Sequence, residues 1–271
     1  MQKTSMEIIQ RCLTGDEAAL EQLVVNIQTR IYNIAVRFLW ELMDAEDATQ
    51  EILLRVITNL FSFRGDSSFE TWVHRIAVNH LLNLKKRTIE TLTFDEGAMH
   101  IKQVAERSEY TEPDRDLLAE EVKISCTTSM LICLSRPLRM AYILGEIFEL
   151  NSVEASHVLE ITPETFRKRL SLARSQLRTF MQANCGIFDP DNPCRCTKKI
   201  TYDVAIGRMN PKQLRFADKG AIPLVPSEIL MKVETLRNDV AILRSHPEYK
   251  APERLRTGLK NLIRLRGADI P

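Results

Sequence analysis

Asn79 and Asn83 lie four residues apart, preceded by Arg75 and followed by Lys85 and Lys86. On a helix that spacing puts the two carboxamides on one face, where they are poor core residues and good hydrogen-bonding partners for bases. Just upstream, Phe63, Arg64, Gly65, Asp66, Ser67 and Ser68 form a short polar loop that begins with an aromatic ring. A pocket, amide hydrogen bonds and cationic side chains are what an unstacked single-stranded base requires. Phe69 and Trp72 read as core, while Phe63 reads equally well as core or as a base contact.

A second constellation lies downstream. Phe166, Leu170, Ala173, Leu177 and Phe180 recur at helical spacing, while Arg167, Lys168, Arg169, Arg174 and Arg178 fall largely off that stripe. Counting Glu164, residues 162–178 carry a net charge of +4. Such a helix, packed on one side and cationic on the other, fits the major groove of duplex DNA. A short helix over 152–159 and a turn at 160–162 precede it, with Thr162 as N-cap and Pro163 at the first helical position. Thr162, Glu164, Thr165, Arg167 and Lys168 are then the expected base readers, with Arg169 and Arg174 nearer phosphates.

Other chemistry finds little support. There is no P-loop, no Gly-rich dinucleotide turn, no HExxH and no nucleophile–base set marked by motif, so the chain is not expected to be an enzyme. Cys185, Cys194 and Cys196 include a CxC pair that could ligate zinc or oxidise. Three thiols without a fourth ligand fall short of a closed tetrahedral site, and no cofactor is expected.

The elements that must position these residues are helices. The 271 residues are 44% apolar and 27% charged with only nine glycines, a composition that fits an all-α protein. Asp16 reads as the cap of a helix with Leu20, Leu23, Val24, Ile27, Ile31, Ile34 and Phe38 on one stripe. Asp44 reads as the cap of the next helix, with Ile52, Leu53, Val56 and Leu60 inward, and Ser67 or Ser68 as the cap of a third. Between 88 and 121 the character changes: ten acids face three bases, for a net of −7, as in an acidic, poorly packed linker.

The expected organisation is two small helical domains, 1–88 and 117–184, joined by the acidic linker 89–116 and followed by a mostly helical extension over 185–271. Within the extension, helices are expected over 227–245 and 252–266, the latter basic and amphipathic. Charge near zero overall (+1) hides these opposed segments. No stretch supplies the roughly 20 uninterrupted apolar residues of a membrane span, and the cysteine spacing and lack of a signal-peptide core suggest the cytoplasm.

The segments DAEDATQEILLRVITNLFSFRGDSSFETWVHRIAVNHLLNLKKR and LSRPLRMAYILGEIFELNSVEASHVLEITPETFRKRLSLARSQLR resemble regions 2 and 4 of the extracytoplasmic-function sigma factors, the small sigma-70 type, over about residues 5–181. That resemblance implies a subunit that binds core RNA polymerase and promoter DNA. Region 2 would meet the β′ clamp through Asp44, Asp47, Gln50 and Glu51 and melt the minus-10 element through the 63–68 loop, Asn79 and Asn83. Region 4 would bind the β flap and read the minus-35 duplex. It also implies that the acidic linker threads the polymerase cleft, and it leaves room for a separate anti-sigma protein.

Two departures stand out: Asn151 to Ser156 lacks the family's common Ile-Ala ending, and some 90 residues follow Asn184. The competing reading is a stand-alone helix-turn-helix regulator of duplex DNA with a C-terminal sensor module. A further reading makes the extension a built-in regulator.

Overall fold

The computed structural model describes residues 6–217, 242–244 and 246–255. In chain order its helices are α1 (Met6–Leu13), α2 (Glu17–Leu39), α3 (Leu42–Thr58), α4 (Phe69–Asn83), α5 (Phe94–Ala105), α6 (Arg115–Ile132), α7 (Arg136–Tyr142), α8 (Ser152–Leu159), α9 (Pro163–Asn184) and α10 (Cys196–Ala205). The described residues contain no β-strand, only isolated bridges pairing Cys185 with Cys194 and Asn210 with Gln213. No described helix is long and apolar enough to cross a membrane.

Packing divides the chain into two units, and neither is a continuous stretch of sequence. The first unites residues 6–85, 150–166 and 248–255; the second unites 86–149, 167–217, 242–244 and 246–247. In the first, α2 is the central element. Its expected stripe is buried, with Leu20 half-buried, and Tyr32, Ala35 and Val36 are buried as well. A helix apolar on most of its circumference must be surrounded, and α1, α3 and α4 pack against it. Asp16 caps α2 as expected, its carboxylate accepting from the Ala19 N–H at 3.0 Å. The cap of α3 is Glu41, not Asp44, which lies inside the first turn, where negative charge favours the helix dipole.

The second unit is organised around α6 and α10, with Leu118, Val122 and Ile200 at its centre and Cys196, Tyr110 and Leu214 against them. Residues read as a poorly packed acidic linker contain α5, whose Val104 is buried. Thr93 and Glu96 form a reciprocal capping box at the start of that helix. Two of the segment's acids serve the interior. Glu90 accepts from Arg136 Nε at 2.9 Å and from Arg139 at 3.0 Å. Glu121, 3% exposed, receives the backbone N–H groups of Arg215, Phe216 and Ala217 at 3.0, 2.8 and 2.6 Å.

The expected tail helix over 227–245 lies outside the described residues apart from a helical turn at 242–244. Of the one over 252–266, only 253–255 is described, again as a helical turn.

Candidate nucleic-acid interface

The loop before α4 is shaped by its local chemistry. A 3-10 turn at Leu60–Ser62 closes α3, and Gly65 takes a φ of +79°, a conformation that disfavours a side chain. Ser68 then caps α4, its hydroxyl accepting from the Thr71 N–H at 3.1 Å. Between these fixed ends Arg64, Gly65, Asp66, Ser67 and Ser68 are all exposed.

Phe63 is half-buried. Its ring stands edge-on to Phe69 at 5.4 Å and tilted against Trp72 at 5.6 Å, so it is the outermost member of an aromatic trio. Phe69 and Trp72 are core residues, as read from the sequence. The aromatic that sequence reasoning passed over is Phe61, 77% exposed at the mouth of the same loop. Its position in the turn directly after α3, off any apolar stripe, was the available signal.

On α4 the exposed residues Arg75, Asn79 and Asn83 recur every fourth position and form one row along the helix. Lys85 and Lys86, also exposed, continue past its end. The two asparagines differ: Asn83 donates its amide to the Asn79 carbonyl at 2.8 Å, within the helix, which leaves Asn79 the more available of the pair. The opposite face is sealed by α2, α3 and α8. His74 is buried there, and burial first, then the Arg30 charge, pushes its imidazole down to about 3. His80, also buried, is lowered by burial despite Glu51, whose carboxylate lies 3.7 Å from its Nε2.

On α3 the expected partner-binding residues follow the exposed side: Asp47 and Glu51 are exposed, Asp44 and Gln50 half-buried. This acidic row suits a cationic partner.

The helix-turn-helix is built as its caps dictate. Asn151 and Glu154 form a capping box at the head of α8, with the Asn151 side chain accepting from Val153 N–H and Glu154 N–H at 2.9 and 3.0 Å. Glu160 ends α8 in the left-handed region, φ 53°, and the Ile161 N–H returns to the Ser156 carbonyl at 3.1 Å. Ser156, the departure noted in the sequence, is buried and donates to the Val153 carbonyl at 2.8 Å, so the short helix accommodates its hydroxyl. Thr162 caps α9 by accepting from the Thr165 N–H at 3.1 Å.

Along α9 the whole apolar stripe from Phe166 to Phe180 is buried. Thr162, Glu164, Arg167 and Lys168 are exposed, and Thr165 and Arg169 half-buried. Arg174, expected near phosphate, is ion-paired with the buried Glu146. Glu146 also accepts an N–H from Arg244 of the tail, through its backbone carbonyl at 2.5 Å.

The cysteines are all free thiols. Cys126, on α6, joins Cys185, Cys194 and Cys196 closely enough to interact with them electrostatically. Burial, with the neighbouring thiols, pushes Cys126 up to about 12 and Cys194 up to about 11, and Cys196 is raised too. No group of three potential ligands among the described residues has metal-holding geometry.

An open aromatic loop, a polar row beside it and a capped helix-turn-helix are groups of the kind a helical nucleic-acid-binding protein needs. Residues 23–88 match the family model of sigma-70 region 2. The chain is 29% identical over 191 residues to the RNA polymerase sigma-H factor of Pseudomonas aeruginosa, a match covering 67% of this chain and 95% of that one. It is likewise 29% identical over 192 residues to the ECF RNA polymerase sigma-E factor of Escherichia coli, covering 67% and 96%. Among solved structures, the sigma factor RpoE in complex with the anti-sigma factor NepR, from Bartonella quintana, superposes with a TM-score of 0.42 at 17% identity, covering 59% of this chain and 95% of that one. Over residues 23–88 the chain thus matches sigma-70 region 2, and over 67% of its length it is similar to RNA polymerase sigma factors, the extracytoplasmic-function sigma-E factor among them.

Proposed function

We propose that this protein binds core RNA polymerase in the cytoplasm and directs it to specific promoters, reading a minus-35 duplex through α8–α9 and opening a minus-10 element through the 61–68 loop and α4. The single observation that carries the reading is the exposed row Arg75, Asn79, Asn83 next to a loop that offers exposed Phe61 and half-buried Phe63. A duplex-only binder has no use for that pairing, whereas an unstacked base needs a π-face to stack on and an amide to hydrogen-bond.

The polymerase would contact the acidic face of α3 through Asp44, Asp47, Gln50 and Glu51. Thr162, Glu164, Thr165, Arg167 and Lys168 would face base edges in the major groove, with Arg169 toward the phosphates. Arg174 would contribute to DNA only by leaving Glu146. An anti-sigma protein is a further expected partner, as in the complex of the Bartonella sigma factor with NepR.

The test is run-off transcription from a genomic promoter library with core polymerase, with and without the protein, alongside Asn79→Ala. Start sites that depend on the protein and weaken in the variant support the reading. Duplex binding without any new transcript would replace it with the helix-turn-helix regulator.

A further inference from the structure

The face formed by α2 and α3 carries polar groups that make no sense as the surface of a free helical bundle. Asn33 is 4% exposed and Arg37 5% exposed. The tail hydrogen-bonds Asn33 and lays an aromatic ring against Arg37. Asn33 donates its amide to the Tyr249 carbonyl at 2.7 Å and accepts the Tyr249 N–H at 2.9 Å. That two-way clamp treats one tail residue as the neighbouring chain of a ladder. Arg37 donates to Asn33 Oδ1 at 2.7 Å, fixing the amide's orientation, and its guanidinium lies 4.7 Å over the Tyr249 ring. Tyr249 and Leu255 are 7% and 4% exposed, so the strap is anchored at both ends by buried side chains.

Between those anchors Arg254 reaches α3. Its guanidinium is ion-paired with Glu46 and lies 3.0 Å from the Met43 sulfur. The Asp47 charge acts on it as well. The strap therefore places a cation on the same helix whose acids Asp44, Asp47 and Glu51 are read above as the polymerase contact. A cationic polymerase surface approaching that row meets an arginine already there, so the two occupants compete by charge and by volume.

We propose that residues 248–255 form an internal competitor that covers the α2–α3 face and must leave before core polymerase binds fully, so that the extension lowers the protein's affinity for polymerase. This rests on the assignment of the acidic α3 face to polymerase. The free protein is then a mixture of strapped and open forms, and the apparent affinity is the intrinsic one reduced by the open fraction.

The experiment measures binding of full-length protein to core RNA polymerase, by fluorescence anisotropy at fixed salt, for the wild type and three variants. Arg254→Glu sets a carboxylate against Glu46 and Asp47. Because its side chain is 60% exposed, this change leaves the core intact. Tyr249→Ala removes the aromatic anchor, and thermal melting checks that it folds. Asp47→Lys reverses the charge of the exposed acid on the contact face.

The expected result is binding tighter by roughly tenfold for Arg254→Glu and for Tyr249→Ala, with weaker binding for Asp47→Lys. Hydrogen exchange of the α3 amides should rise in the two strap variants without polymerase. If Arg254→Glu binds no tighter than wild type while Asp47→Lys still weakens binding, the strap is not a competitor and the polymerase assignment stands. If Asp47→Lys changes nothing, the α3 assignment falls and the competitor proposal falls with it.

Discussion

Replacing Glu90 by Gln tests whether a residue in the acidic segment is a structural keystone instead of a solvated charge. Its carboxylate side chain is 3% exposed and is held by Arg136, 8% exposed, and Arg139, 1% exposed. Arg136 donates to both oxygens, at 2.9 and 2.6 Å. Removing one partner of a buried ion pair costs about 3–5 kcal/mol, because the remaining charge is left uncompensated. Two features put this site at the low end. Arg139 keeps its bonds to the Leu131, Ile132 and Leu134 carbonyls at 3.0, 3.0 and 3.1 Å, and a glutamine oxygen still accepts from Arg136.

The expected loss is about 3 kcal/mol, or about 6–12 °C in the melting transition of the second unit. The pH dependence gives a second signature. Burial alone would raise this carboxyl, but hydrogen bonds from Arg136 and the Arg87 N–H, with the charges of Arg139 and Arg136, bring it down to about 2. A carboxyl lowered on folding stabilises fully above its unfolded value near 4.5 and loses that contribution as pH falls toward 2. Melts followed by circular dichroism should therefore show the gap between wild type and Glu90→Gln full at pH 7 and shrinking between pH 5 and pH 3. Glu106→Gln, an exposed acid in the same segment, should show almost no gap. A loss under about 1 kcal/mol at pH 7, or a gap indifferent to pH, would refute the structural role.

Phe61→Ala should reduce protein-dependent transcript by roughly tenfold, the worth of one base-stacking contact, with the melting temperature unchanged because the ring is exposed. Equal transcript would remove it from the base-contacting set. Thr162→Ala removes the cap of α9 and should cost about 1 kcal/mol in denaturant titration while also weakening duplex binding; no change in midpoint would show that the cap bond is dispensable. At pH 7.5 the thiols of Cys126 and Cys194 should react with iodoacetamide at least about a hundredfold more slowly than a small-molecule thiol, and at the ordinary rate in denaturant, as mass spectrometry of the labelled peptides will show. His74→Gln should flatten the loss of stability as pH falls below about 6.5. The wild-type imidazole stays neutral down to about 3 when folded but takes up a proton when unfolded.

Local structure was legible in the residues because local structure is set by neighbours. Asp16, Ser68 and the Thr162-Pro163 pair cap helices within a residue or two of where they were read, since an N-cap needs only the three residues after it. The buried stripe of α9 and the exposed Arg75, Asn79, Asn83 row follow from a period of 3.6 alone. The sequence by itself thus determined the helical character of the described residues, the helix-turn-helix and the exposed loop and polar row at α4.

What the tertiary structure decided depends on partners that no period encodes. Glu90 belongs to the interior because Arg136 lies 46 residues away, and Glu121 because backbone amides some 95 residues downstream converge on it. Arg174 is engaged by Glu146 across 28 residues, and Arg254 meets Glu46 across 208. An acidic run reads the same whether its carboxylates face water or a buried guanidinium, so charge composition could not separate Glu90 and Glu121 from their exposed neighbours. Only the folded chain, by bringing distant charges to ion-pairing distance, assigns each of them to the core, the surface or the strap.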